Sequence, residues 1–206
     1  MSSEPLIEQL RVFLPKYLSP TQHTELWQEL RAFPKVSTFY LPEQTGDPDL
    51  LQGDGWAGFV AVNVERMERR TVHGIIVSNS CDIDLANTRA LIPQVVFAPL
   101  IAVSAYEGKL DASNLGDEAK RTTLEAIRRQ EVTNIFHLPA LPYGPEESLV
   151  VLDTIQSQPV TMFAQGERRR LFRLNQVAFY TFLIKLSIHF TRFNESVARF
   201  PLAHAS

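Results

Sequence analysis

Cysteine is almost absent from this chain, which has one among its 206 residues. A single thiol cannot form an internal disulfide, and it excludes a metal site built from several thiolates. The five histidines show no spacing typical of a zinc motif. The sequence also has no phosphate-binding loop, no dinucleotide-binding fingerprint and no Gly-x-Ser-x-Gly turn. We therefore expect no cofactor and no metal ion.

Charge of one sign and long apolar runs are also scarce. The 20 lysines and arginines against 23 aspartates and glutamates give a net charge of −3, so no overall positive field attracts nucleic acid or acidic membranes. The first five residues lack the basic start and apolar core of a signal peptide. The most apolar long segment, 177–190, contains Lys185 and His189 and is too short to cross a bilayer. We expect a soluble, cytoplasmic protein without membrane contact, in which nucleic acid could bind only at a local basic patch.

The composition itself is typical of a globular protein, with 45% hydrophobic and 21% charged residues. Apolar residues at helical spacing predict an N-terminal helical hairpin within residues 1–35. A β-rich part, 36–174, and a C-terminal helix, 175–200, follow, and we expect all three to form one domain over residues 1–206. The C-terminal helix is apolar on two faces, so it must pack against two different structural elements or chains. We expect one face to pack against the sheet. The other face is expected to pack against the N-terminal hairpin or, in a homodimer, against a second copy of the chain.

The β-rich part consists of short apolar and β-branched runs separated by loops. Strands are predicted at 36–41, 57–64, 71–78, 95–105, 149–155, 160–163 and 170–174. No helix separates the middle strands, which favours an antiparallel sheet or small barrel over a parallel sheet. An inserted helix is predicted over 117–130, because acidic residues near its start and arginines near its end complement the helix dipole.

The segment 74–84 holds the most suggestive chemistry. An apolar run ends there in small polar residues, Cys81, Asp82 and Asp84, which a rigid strand would hold at its exit. As a nucleophile, Cys81 needs a nearby base or cation, whereas its neighbouring carboxylates disfavour the thiolate. The alternative is a half-buried small residue beside two loop-capping aspartates.

Two clusters of arginine form the local basic patches. The first lies in a charged connector that we interpret as a hairpin tip, and the second lies within residues 168–173. If the two clusters lie close together in the fold, their guanidinium groups can bind phosphate groups bidentately. Phe172 would then offer a surface on which a base stacks. The alternative is a solvated strand edge that charge keeps from aggregating. The candidate nucleic-acid-binding residues are Arg66, Arg168, Arg169, Arg170 and Arg173.

Four segments resemble the MazF/PemK group of toxin proteins, over roughly residues 53–195. Residues 55–62 resemble the first strand of that family. Residues 74–79 resemble its central apolar strand ending in serine-asparagine, and residues 95–100 its valine-rich strand ending in alanine-proline-leucine. Residues 149–155 are similar to a later strand.

This resemblance implies an α+β, mostly β fold. The expected architecture is a small SH3-like barrel with an N-terminal helical hairpin, an inserted helix and a long C-terminal helix. It also implies a protein of a bacterial toxin–antitoxin or stress/defence system, with single-stranded RNA and an antitoxin or other protein as partners. Its implied activity is that of a metal-independent endoribonuclease, which needs a base for the 2′-hydroxyl and a cation or acid for the phosphate. The candidate catalytic residues are Arg69, Arg70, His73, Cys81 and Asp82.

Two departures from the family pattern keep other functions open. Val72-His73 stands where family nucleases carry an arginine-proline pair, and Ile101 follows Leu100 where they carry a threonine or serine. A non-catalytic protein-interaction module on the same barrel is therefore one alternative. An enzyme or redox sensor that depends on Cys81 is another.

Overall fold

A computed structural model describes residues 19, 21, 24–26, 28, 38–42, 49–87, 89–141 and 144–191. The predicted N-terminal hairpin lies almost wholly outside these residues, as does the C-terminal helix beyond Thr191.

The described chain alternates between strands and helices. The strands are β1 (Gly55–Asn63), β2 (Glu68–Ile76), β3 (Gln94–Ala102), β4 (Ile135–Leu138), β5 (Ser148–Val151), β6 (Gln156–Pro159) and β7 (Arg169–Phe172). The α-helices are α1 (Ser80–Ile83), α2 (Val103–Asp111), α3 (Asp117–Arg128), α4 (Val160–Gln165) and α5 (Gln176–Thr191), and a 3₁₀ turn spans Leu152–Thr154. The strands form one antiparallel sheet in the order β4-β5-β3-β2-β1-β7, and β6 also pairs with β3.

The α+β class and the antiparallel pairing of the middle strands are confirmed. The mostly β content is not, because helical residues are at least as numerous as strand residues in the described chain. Among the described strands, backbone hydrogen bonds do not close the sheet into a barrel. Two side chains of β6 reach β1 instead: Gln158 accepts from the amide of Val60 and Gln156 from that of Val62, both at 2.8 Å.

Two predicted strand segments are helical, and both predictions were wrong. Residues 160–163 begin α4, where Val160 and Phe163 are buried one helical turn apart. Pro159 precedes them with a φ of −54°, which suits a helix start and ends β6. Residues 103–105 likewise leave β3 and begin α2. In both places a β-branched valine gives the segment a β-like composition, and in α4 the spacing of the buried residues is helical.

The sheet buries apolar side chains on both faces. One cluster lies beneath α5, where Phe182 and Ala178 of the helix pack with Ile75 and Ala98 of the sheet. The other cluster lies on the opposite face, where the rings of Phe97 and Phe163 both stack on Phe59 at centroid distances of 4.3 Å. Burial on both faces explains why β2 ends in two consecutive buried apolar residues, Ile75 and Ile76.

The second apolar face of α5 also has a partner. Val177 and Tyr180 on that face form a buried cluster with Leu26. The prediction that both apolar faces of α5 have packing partners is therefore confirmed, since one contacts the sheet and the other contacts Leu26 of the N-terminal part.

A buried ion pair joins the start of β1 to the end of β7. The guanidinium of Arg173 donates from Nε to Asp54 Oδ1 at 3.0 Å and from Nη2 to Oδ2 at 2.9 Å. Asp54 is 1% exposed, and its backbone carbonyl accepts from the amide of Ile76 at 2.9 Å. The pair therefore connects β1 with β7 where β1 also meets β2.

A second buried polar group surrounds the end of α3. Gln130 follows this helix with a φ of 60°, and its side-chain amide bonds both the N–H and the C=O of His137 in β4, at 3.1 and 2.7 Å. Its backbone carbonyl accepts from the ammonium of Lys185. Lys185 is 5% exposed, and burial lowers the pKa of its ammonium to about 8 while the Glu131 carboxylate opposes this shift.

Removing one member of the buried pair should be costly. We expect Asp54→Asn to lower the free energy of unfolding by about 3 kcal/mol, because it removes the buried carboxylate charge that both Nε and Nη2 of Arg173 bind. The matched control, Glu68→Gln, makes the same chemical change in the exposed pair with Arg70, and it should cost less than about 1 kcal/mol. Urea unfolding of both variants measures the difference. Equal losses in the two variants would show that the buried pair has no special role.

The depressed pKa of Lys185 predicts a pH dependence of stability. In the unfolded chain a lysine has a pKa of about 10.4, so between pH ~8 and ~10.4 the unfolded state binds more protons than the folded state. We expect the free energy of unfolding of the wild type to rise across this window relative to Lys185→Met. Lys109→Met, at an exposed position of α2, controls for the loss of one positive charge. A constant difference between wild type and Lys185→Met across the window contradicts this prediction.

Candidate nucleic-acid interface

The register of β1 brings residues of three strands to one face of the sheet. Ala57 pairs with His73 of β2 on one side and with Arg169 of β7 on the other. Directly paired residues of antiparallel strands point to the same face, so His73 and Arg169 share the face of Ala57. Their backbones are two strands apart, about 10 Å. Both side chains are exposed.

The same face continues towards the hairpin that joins β1 and β2. Arg69 pairs with Val62 and, being four residues from His73, points to the same side. Arg66 is exposed in the turn between the two strands. We call Arg66, Arg69, His73 and Arg169 the basic face. Within the described part of the chain, none of its three arginines is in an ion pair.

The other candidate arginines are engaged elsewhere. Arg70 points to the opposite face from Arg69 and pairs with Glu68 at 2.6 Å. Arg173 is held by the buried Asp54. Arg170 pairs with Trp56 in the β1–β7 register and so lies on the opposite face from Arg169.

Arg168 has a different environment again. Its guanidinium carbon lies 5.4 Å from the ring centroid of Trp56 and 5.7 Å from that of Phe163. This position over two aromatic rings is favourable for a cation. The four arginines of the predicted cluster at 168–173 therefore lie in four different environments, and only Arg169 joins the basic face.

Cys81 and Asp82 lie in α1, after β2 has ended at Ile76. Arg70 precedes Ile76 by six residues of extended strand, about 20 Å. The two candidates therefore lie near the opposite end of β2 from Arg69 and Arg70, and the structure does not bring the five catalytic candidates together.

The contacts of α1 are local. The amide of Cys81 donates to Asn79 Oδ1 at 3.0 Å, and its carbonyl accepts from Asn87 at 2.7 Å. Asp82 accepts from Arg89 at 3.0 Å, and Cys81 is exposed. These bonds cap a short helix and order the loop after it. The cap is Asn79 rather than an aspartate, and Cys81 is exposed rather than half-buried.

A pair between a buried imidazole and a half-buried carboxylate was not found by sequence reasoning. His137 Nε2 lies 2.8 Å from Glu147 Oε1, and the guanidinium of Arg128 binds both oxygens of the same carboxylate at 2.7 and 3.0 Å. The bond to Arg128 holds the pKa of Glu147 below its usual value, although partial burial opposes the shift. Burial lowers the pKa of His137, against the hydrogen bond from its side chain to Glu147. The three residues come from β4, α3 and the segment before β5, so no local spacing in the sequence could have indicated the group.

Two further features of the described residues bear on function. Their His, Cys, Asp and Glu side chains form no group of three or more that could hold a metal ion. None of the helices in the described ranges has both the length and the apolar character needed to cross a membrane.

Comparison with known proteins adds no assignment. No protein-family model matches the chain, and no curated protein matches it significantly.

Proposed function

We propose that this protein binds single-stranded RNA through the basic face, as a MazF/PemK-like protein of a bacterial toxin–antitoxin or stress/defence system. The observation that carries the proposal is the register of β1, which aligns Arg69, His73 and Arg169 on one exposed face. Exposed guanidinium groups without carboxylate partners are free to bind phosphate oxygens bidentately. An imidazole between them adds a flat surface on which a base can stack.

The proposal includes an SH3-like arrangement of β1, β2, β3 and β6. Gln156 and Gln158 support it, because their side chains bridge β6 to β1 where a backbone ladder would close such a barrel. The 3₁₀ turn between β5 and β6 also supports it, since both strands pair with successive parts of β3. Such an arrangement fixes the spacing of the side chains on the basic face.

Binding should depend on individual arginines of the basic face. We expect Arg69→Gln and Arg169→Gln each to weaken binding of a fluorescein-labelled single-stranded RNA about fivefold to tenfold, through loss of a charge-assisted contact. Three such contacts also predict a loss of affinity of about 20-fold between 50 and 200 mM salt. Fluorescence anisotropy measures both effects.

Arg70→Gln is the matched control for this experiment. It removes the same charge from the adjacent residue on the opposite face, where Arg70 already pairs with Glu68. Its effect on affinity should be less than about twofold. The proposal is contradicted if the wild type does not bind RNA at 50 mM salt, or if Arg70→Gln weakens binding as much as Arg69→Gln.

Cleavage of the bound RNA is a second proposal, and it rests on the position of His73. The imidazole shares its face with Arg169 across Ala57, so a base for the 2′-hydroxyl and a cation for the phosphate lie on either side of one strand. General base catalysis by a histidine typically contributes about 10²–10⁴-fold to a rate. Cys81 and Asp82 lie too far along the chain to join this pair.

The cleavage proposal predicts a specific pattern among variants. We expect wild-type protein to cut single-stranded RNA in the presence of a chelator, and His73→Gln to be slower by about 100-fold or more with RNA affinity retained. Cys81→Ser should cut at the wild-type rate. Gel analysis of end-labelled RNA measures the rates. Cleavage that depends on Cys81 would favour the cysteine-dependent alternative, and RNA binding without cleavage would favour a non-catalytic module.

A further inference from the structure

Three buried N–H donors near β1 have no acceptor among the described residues. They are Nε1 of Trp56, Nε2 of Gln158 and Nη1 of Arg168. Trp56 and Gln158 are each 5% exposed. Buried donors are almost always paired in folded proteins, and each exception calls for an explanation. All three of these atoms are donors, so they have the same requirement for an acceptor.

The bulge at Gly58 brings these three residues to the same part of β1. A methyl group on Gly58 would lie 2.4 Å from the carbonyl oxygen of Glu167 and 3.2 Å from Cα of Arg168. Trp56 precedes Gly58 by two residues, and its ring lies 5.4 Å from the guanidinium carbon of Arg168. Gln158 is fixed by the amide of Val60, two residues after Gly58.

The charge of this group is positive and is not balanced by a carboxylate in the described ranges. Arg168 lies over the rings of Trp56 and Phe163, and a guanidinium stays protonated in proteins. Gln158 already uses its oxygen to accept from Val60, so only its N–H₂ is available. A neutral water could satisfy two of the donors, but it would leave the charge of Arg168 unbalanced.

We propose that Trp56, Gln158 and Arg168 form a binding site for an oxyanion of the size of phosphate. A tetrahedral oxyanion has enough lone pairs to accept from all three donors and supplies the missing negative charge. The site does not depend on the basic face, because Trp56 and Ala57 are successive residues of β1 and point to opposite faces of the sheet. The phosphate comes either from the free ion or from a phosphomonoester such as a mononucleotide.

The indole of Trp56 reports directly on this site. The chain has two tryptophans, so Trp27→Phe leaves Trp56 as the sole source of indole fluorescence. In this background we expect sodium phosphate to change the emission of Trp56 saturably, whereas sodium chloride at equal ionic strength does not. A parallel titration with adenosine 5′-monophosphate separates the two sources, because tighter binding of the nucleotide identifies a phosphomonoester and equal or weaker binding identifies the free ion.

Two variants test the donors themselves. Arg168→Met should weaken phosphate binding at least about tenfold, since it removes a charge-assisted bond. Gln158→Glu keeps an oxygen to accept from Val60 but replaces the donor by a negative charge, so it should abolish binding. Arg121→Met, at an exposed site on α3, is the control and should bind phosphate as the wild type does. If Arg168→Met does not fold, Arg168→Lys is the substitute. It keeps the positive charge but lacks the paired N–H donors of a guanidinium, so it should bind phosphate more weakly than the wild type.

The proposal is overturned if phosphate leaves the emission of Trp56 unchanged, because an internal water then satisfies the donors. It is also overturned if Arg168→Met or Gln158→Glu binds phosphate with wild-type affinity. The titration contains no RNA, so its result is independent of whether the basic face binds RNA.

Discussion

The close approach of Glu167 and Arg168, just before β7, to the backbone of Gly58 is the constraint on which the rest of the arrangement depends. Gly58 has a φ of 104°, and the carbonyl of Glu167 occupies the space where any side chain would stand. The extra residue shifts the register between β1 and β2 at this point. Before the bulge, β1 pairs with β7. After the bulge, the backbone N–H and C=O groups on that edge of β1 need other hydrogen-bond partners.

Two glutamines of β6, Gln156 and Gln158, supply these hydrogen bonds to the edge of β1. Gln156 bonds both the N–H and the C=O of Val62, whereas Gln158 bonds only the N–H of Val60. The side-chain N–H₂ of Gln158 is therefore left without an acceptor among the described residues. On the outer side of the sheet, Arg69 and His73 are exposed. The structure thus separates an open cationic face from an enclosed group of donors.

The sequence predicts those features that depend on local pattern. Strands β1, β2 and β3, helix α3 and the two-faced helix α5 follow from alternation, capping charge and helical spacing. It does not predict β6, whose Gln-Ser-Gln-Pro sequence has no apolar alternation and is specified by bonds to β1 residues some 94 to 98 positions away. The same limit applies to the candidate site. Adjacent arginines such as Arg69 and Arg70 read as one cluster in sequence, but strand alternation sends them to opposite faces.

The distribution of charge pairs explains why the density of arginine was a poor guide to the basic face. The chain has more acidic than basic residues, so its unpaired arginines do not reflect a shortage of carboxylates. Helix α3 and its flanks show this, since Arg121, Arg128 and Arg129 each bind a glutamate nearby. In contrast, Arg69 and Arg169 have no such partner in the described chain although an acidic residue, Glu68 or Glu167, is close in sequence to each. Because strand alternation turns Arg69 away from the adjacent Glu68, which instead binds Arg70 on the other face, the position of a residue in the sheet decides which guanidinium groups remain available for phosphate.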